Sequence, residues 1–190
     1  MSRFRILVIA SSLLGLVVAT ILGAEIWLRL DGNFHEVKAG ELYRSAQPTP
    51  EKLQTYIKQY HLKSVLNLRG PQSGAQWYRD EQRVTASNGV QLINFGMSAG
   101  RDLTRQEALQ LVEIMRNAPK PLLIHCKTGA DRTGLATLIY AYKIAGIDEE
   151  KAEEQLAPRF GHFGIPLLSS TFAMDRSWED LEALFGIEGS

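Results

Sequence analysis

Hydrophobic and polar positions divide the chain into one uniformly apolar run and a longer stretch of alternating patterns. From Ile6 to Ala24 the residues read ILVIASSLLGLVVATILGA, without a charge. About nineteen such residues match the roughly 17–25 that a bilayer-spanning helix takes. Beyond the run the pattern breaks into short segments. Leu42-Tyr43-Arg44 predicts a strand closed by Gln47-Pro48-Thr49-Pro50. Leu53, Tyr56, Ile57 and Tyr60 share one side of a helix over Glu51–Tyr60. Ser64–Leu68 predicts another strand, stopped by Gly70-Pro71. A helix over Gly74–Ala86, a turn at Asn88-Gly89 and a strand over Val90–Phe95 follow.

Thr104-Arg105-Gln106-Glu107 has the form of a capping box, so a helix starts there and runs to about Asn117. Its buried face is Ala108, Leu111, Val112 and Met115. Pro121–Ile124 reads as a fully apolar strand and Leu135–Ala145 as an apolar helix, with further helices near Glu149–Leu156 and Ser169–Phe185. Strands alternating with helices imply an α/β domain of three layers, a central mostly parallel sheet flanked by helices. Asp31–Gly40 is polar with two glycines and reads as a juxtamembrane linker. The chain is therefore expected to divide into an anchor (1–30), a linker (31–40) and one globular domain (41–190).

Composition narrows the choice. A chain of 190 residues with 45% hydrophobic and 22% charged residues is globular, neither disordered nor fibrous. Its 21 basic residues balance 21 acidic ones, so no strong field draws it to nucleic acid. One cysteine makes neither an intramolecular disulfide nor a Cys-rich zinc site, and four scattered histidines show no metal cluster. No metal and no cofactor are expected. Arg3 and Arg5 precede the apolar run. The positive-inside rule then keeps the N-terminus cytoplasmic and predicts a single-pass protein of the inner membrane, its domain on the periplasmic side. A cleavable signal peptide is the alternative, although its apolar core would be shorter, roughly 7–15 residues. A lone thiol suits an oxidising compartment, because the chain holds no second cysteine to trap it.

The informative segment runs from Leu122 to Gly134: an apolar strand, a glycine-containing loop between Cys126 and Arg132, then an apolar helix. Successive N–H groups of such a loop form an anion nest at a helix N-terminus. Gly129 permits the dihedrals this needs, and the Arg132 fork can bind two phosphate oxygens. A thiol in that cradle feels the helix dipole and the guanidinium, which favours a thiolate aimed at a bound phosphoryl group.

His125-Cys126-Lys127-Thr128-Gly129-Ala130-Asp131-Arg132-Thr133-Gly134 resembles the signature of the cysteine-dependent protein tyrosine and dual-specificity phosphatases. Leu42–Pro48 and Val65–Arg69 are similar to segments of their atypical bacterial and fungal members, so the resemblance covers roughly Asn33–Gly146. It implies that Cys126 attacks phosphorus, giving a phosphocysteine that water hydrolyses, while Arg132 clamps the equatorial oxygens. His125 would support the loop and the thiolate, and the Thr133 hydroxyl would stabilise the departing cysteine. The backbone of Lys127, Thr128, Gly129, Ala130, Asp131 and Arg132 would cradle the phosphate. Family architecture places the general acid on the loop after the preceding strand, where Asp102 is the one carboxylate between Phe95 and Thr104. Asp131, inside the cradle, is its rival.

A phosphorylated protein is the default substrate implied. A phospholipid or inositol phosphate is the alternative, suggested by the Ile6–Ala24 anchor and by Lys127 beside the nucleophile. A phosphate-binding module without catalysis is the second alternative. Lys127 and Arg44 either widen the positive field or are solvated surface charges, and His61 and His162, with no partner spacing, read as ordinary polar residues.

Overall fold

The computed structural model describes residues 31–187 and, ahead of them, only residues 12, 13, 15, 16 and 23. The expected anchor over Ile6–Ala24 thus lies mostly outside the described residues. Among the described residues no helix is long and apolar enough to cross a membrane.

Five strands form one sheet: β1 (His35–Lys38), β2 (Leu42–Ser45), β3 (Ser64–Asn67), β4 (Gln91–Asn94) and β5 (Leu122–His125). Their order is β1-β2-β5-β3-β4. All neighbours are parallel except β1, which lies antiparallel on β2. Helices α1 (Pro50–Tyr60), α2 (Gln76–Ser87), α3 (Arg105–Asn117), α4 (Asp131–Lys143), α5 (Glu149–Glu153) and α6 (Ala173–Phe185) cover both faces, with 3-10 turns at Pro158–Phe160 and Ser170–Phe172.

Side-chain alternation along each strand builds the two cores. Leu42, Leu66, Leu122 and Ile124 meet α3, α4 and α6 on one face. Tyr43, Val65 and Leu123 meet α1 and Val84 of α2 on the other. The sheet is α/β and flanked on both sides, as expected, and is mixed because of β1. The capping box forms: Thr104 Oγ1 accepts from Glu107 N at 3.3 Å, and Glu107 Oε2 accepts from Thr104 N at 2.9 Å. Such a cap contributes about 1 kcal/mol to the helix.

The linker expected over Asp31–Gly40 requires correction, because it contains β1. That strand offers one apolar residue, Val37, among charged and polar ones, and an edge strand of this kind carries almost no hydrophobic signal. Helix α4 also starts earlier than Leu135. Asp131, Arg132 and Thr133 form its first turn, so the C-terminal part of the signature is helical.

Candidate active site

Strand β5 is central, and its last residue His125 sits level with Ser45 of β2 and Asn67 of β3. The carboxyl ends of three parallel strands therefore converge where the chain leaves the sheet, the usual place for a ligand in such folds. Cys126 is the next residue, only 1% exposed. Its Sγ accepts the Gly129 N–H at 3.3 Å.

The cradle is shaped from outside. Lys127 O accepts from Gln47 N at 3.3 Å, Thr128 O from Asn33 Nδ2 at 3.0 Å and Gly129 O from Arg44 Nη2 at 2.7 Å. Peptide groups are planar and trans, so a carbonyl held outward turns the following N–H inward. The N–H groups of Thr128 and Gly129 are thereby directed to the inner side, and the Ala130 N–H donates to Thr128 Oγ1 at 3.4 Å. Gly129 has φ +73°, and a Cβ there would lie 2.6 Å from the backbone of Ser45 and Ala46. Ala130, at the N-cap of α4, has no side chain with which to cap it, so the first-turn N–H groups stay available to an anion.

Arg44 lies fully buried behind this loop. Besides Gly129 O, it donates to Gln155 O at 2.6 Å and Gln155 Oε1 at 2.9 Å, and its guanidinium stacks 3.8 Å over Phe160. Burial drags its pKa from 12.5 to about 9, still charged at neutral pH. It is a cation beneath the cradle and not a solvated surface charge.

In the first turn of α4, Arg132 Nη1 donates to Met97 O at 3.3 Å, which ties the loop carrying Asp102 to the signature arginine. Arg132 Nε and Thr133 Oγ1 are buried without a partner. Such orphaned groups are costly, and these two are what a bound oxyanion and the cysteine sulfur could use. His125 is fully buried, its Nε2 2.8 Å from Glu81 Oε1 and its Nδ1 3.4 Å from Cys126 O. Glu81 Oε1 also accepts from Gln47 Nε2, and Gln47 Oε1 accepts from Arg69, which stacks on Trp77. A continuous polar chain thus runs from Arg69 to the signature histidine.

The two candidate acids differ in setting. Asp102 is 46% exposed at its side chain and pairs with Arg176 of α6 at 2.7 Å. Asp131 Oδ1 lies 2.8 Å from Nδ1 of the buried His162. Lys127 and Thr128 are exposed at the rim.

Residues 24–163 match the family model described as "DSP-PTPase phosphatase fused to NAD+ Kinase". The chain belongs to this DSP-PTPase family. Inositol diphosphatase DSP3 of Arabidopsis thaliana is 31% identical over 109 residues, which are 54% of this chain and 50% of that protein. Dual specificity protein phosphatase TpbA of Pseudomonas aeruginosa is 27% identical over 126 residues, 65% of this chain and 52% of that protein. The chain spans about half the length of the curated relatives it matches. In solved structures, the catalytic core of SIW14 from Saccharomyces cerevisiae, with citrate bound, superposes with TM-score 0.58 at 26% identity, over 83% of this chain and 94% of that one. TpbA in complex with phosphotyrosine gives TM-score 0.59 at 20% identity, over 84% and 93%, a likeness of fold alone.

Within this DSP-PTPase domain, sequence reasoning missed Asn33, Glu81 and His162, and it left Arg44 open between a field-widening and a surface charge. Two of them carried a signal. Glu81 falls three residues after Tyr78 and three before Val84, on the buried face of α2. Arg44 shares its strand face with Leu42, so alternation already turned it inward. Asn33 and His162 reach the cradle only through tertiary contacts.

Proposed function

We propose that this chain is a phosphomonoesterase that works through a phosphocysteine at Cys126. The observation that carries the reading is the cradle: a buried sulfur at its base, three carbonyls held outward and an arginine with an unpartnered Nε in the first turn of α4. The Cys126 thiolate attacks phosphorus as the P–O ester bond breaks, and a general acid protonates the leaving oxygen. Water then attacks phosphorus, the S–P bond breaks, and the acid's conjugate base takes the proton. Arg132 and the inward N–H groups stabilise the charge that builds on the equatorial oxygens. Thr133 Oγ1 donates to the sulfur as it departs, and His125, held by Glu81, keeps the loop in place.

Asp102 is the acid in this scheme. Its pair with Arg176 is solvent-exposed, and exposed pairs are worth about 0.2–1 kcal/mol, so a small loop movement frees it. Asp131 is bound to a buried imidazole and has no such freedom. With p-nitrophenyl phosphate in excess chelator, turnover is expected in the parent. With an alkyl phosphate, whose leaving oxygen needs a proton, Asp102→Asn should lower kcat by about 10²–10⁴-fold. If Asp131→Asn produces that loss and Asp102→Asn does not, the assignment is reversed.

The preferred substrate is a phosphorylated protein, of tyrosine or dual specificity. A second reading, an inositol phosphate or diphosphate, is favoured by the names of DSP3 and SIW14 and by the exposed Lys127 beside the nucleophile. Comparing kcat/KM for a phosphotyrosyl peptide with that for a diphosphoinositol phosphate separates the two.

The Ile6–Ala24 run, with Arg3 and Arg5 ahead of it, supports an inner-membrane anchor with the domain on the periplasmic side. The full chain should then stay with membranes through alkaline carbonate extraction and be cut by protease added to spheroplasts. Recovery in the carbonate supernatant would remove the anchor, and protection from protease would reverse the orientation.

A further inference from the structure

His162 lies between two carboxylates brought by different helices. Its Nδ1 is 2.8 Å from Asp131 Oδ1, at the first residue of α4, and its Nε2 is 3.0 Å from Asp175 Oδ2 on α6. The ring is 2% exposed. An ionised carboxylate only accepts hydrogen bonds, so each ring nitrogen must carry a proton to satisfy both neighbours. With both carboxylates ionised, the ring is an imidazolium. Burial opposes that charge, but the bonds to Asp131 and Asp175 and their negative charges outweigh it, holding the pKa above the ordinary 6.5.

Asp131 belongs to the loop between Cys126 and Arg132, where every other device gathers positive potential for an anion: inward N–H groups, the first turn of α4, Arg132, and Arg44 beneath. An uncompensated carboxylate in that ring would repel a phosphate dianion and compete with it for Arg132, the next residue. The bond to His162 draws the Asp131 carboxylate toward the loop before α6 and offsets part of its charge, the imidazolium being shared with Asp175.

We infer that His162 is a positioning residue that holds the Asp131 carboxylate and offsets part of its charge, and so lets the cradle accept a doubly charged phosphate. The inference deepens the phosphocysteine reading and rests on it. Asp131 from α4 and Asp175 from α6 are the charged groups facing the ring, so its charge is theirs to hold. The sign follows. The favourable contribution is complete below the ordinary histidine range and is lost as pH rises through the raised pKa, above 6.5.

The test uses the full chain, His162→Gln, and His162→Gln combined with Asp131→Asn. Tungstate serves as the oxyanion probe in calorimetry at pH 6 and pH 8.5, beside kcat and KM for p-nitrophenyl phosphate. Histidine-selective nitrogen NMR of the parent reads the ring directly. We expect His162 to carry a proton on both nitrogens at pH 7. His162→Gln should weaken tungstate binding about tenfold and raise KM more than it lowers kcat. Adding Asp131→Asn should restore the affinity, which loss of packing alone would not do. A neutral ring at pH 7, unchanged affinity in His162→Gln, or no recovery in the double variant would overturn the inference. Should His162→Gln fail to fold, the NMR signal of the parent decides. A parent that neither binds tungstate nor turns over removes the phosphocysteine reading instead, whereas a parent that does both while His162→Gln matches it removes only the role of His162.

Discussion

Cys126→Ser is expected to abolish turnover, by at least about 10⁴-fold in kcat, and to leave the anion cradle intact. A serine hydroxyl is a far weaker nucleophile than a thiolate at neutral pH, and His125 is not placed to activate it. Its Nε2 faces Glu81 and its Nδ1 faces the Cys126 carbonyl, so neither nitrogen is free to act as a base toward position 126. Binding should survive. The carbonyls of Lys127, Thr128 and Gly129 are held by Gln47, Asn33 and Arg44, none of which depends on the sulfur. The one contact altered is the Gly129 N–H on Sγ. Because the outer contacts of the loop stay in place, tungstate affinity should hold. Stopped-flow release of p-nitrophenol and calorimetry with tungstate check both halves. Residual turnover within tenfold of the parent would end the phosphocysteine mechanism, and lost tungstate binding would mean that the sulfur itself shapes the loop.

How much of this was legible in the sequence depends on how local each contact is. The apolar runs Ser64–Leu68 and Pro121–Ile124 became β3 and β5, and Thr104 with Glu107 capped α3, because strand burial and capping are decided within a few residues. The loop from Cys126 to Arg132 was legible for the same reason. What surrounds it was not. Asn33 reaches Thr128 O across 95 residues and Arg44 reaches Gly129 O across 85, from a segment whose composition suggested a linker and a strand whose arginine had no assigned place. His162 had no partner at any regular spacing, because Asp131 and Asp175 lie 31 and 13 residues away on separate helices.

Helix α6 shows how such distant contacts act on the site together. Two adjacent residues in its first turns reach opposite parts of it. Asp175 holds His162 and through it Asp131, while Arg176 holds Asp102. Ser177 Oγ, next in sequence, accepts from Leu103 N at 2.8 Å and fixes the end of the loop that carries Asp102. The register of one helix thus sets where both carboxylates stand relative to the cradle. This helix lies beyond residue 163, where the match to the family model ends.

Arg44→Met is expected to cost the domain about 2–4 kcal/mol and to disable the cradle at the same time. The side chain is fully buried, and its loss would strand Gly129 O and Gln155 O, each at about 1–3 kcal/mol when left unpaired in the interior. Part of that is offset. Burying a guanidinium is unfavourable, as its pKa of about 9 records, and methionine avoids the cost while filling much of the same space. Because two carbonyls must be satisfied in different directions, Arg44→Lys should not rescue: one ammonium cannot span Gly129 O and Gln155 O as the two ends of a guanidinium do. Both variants should melt earlier, by about 2–4 °C per kcal/mol for a domain of this size. Both should bind tungstate more weakly than Cys126→Ser does, since the Gly129 carbonyl is no longer held outward. Thermal melts followed by circular dichroism, with calorimetry on the folded fraction, test this. A lysine variant with the parent's melting temperature and tungstate affinity would show that a positive charge under the loop suffices, and that the fork geometry of Arg44 does not shape the cradle.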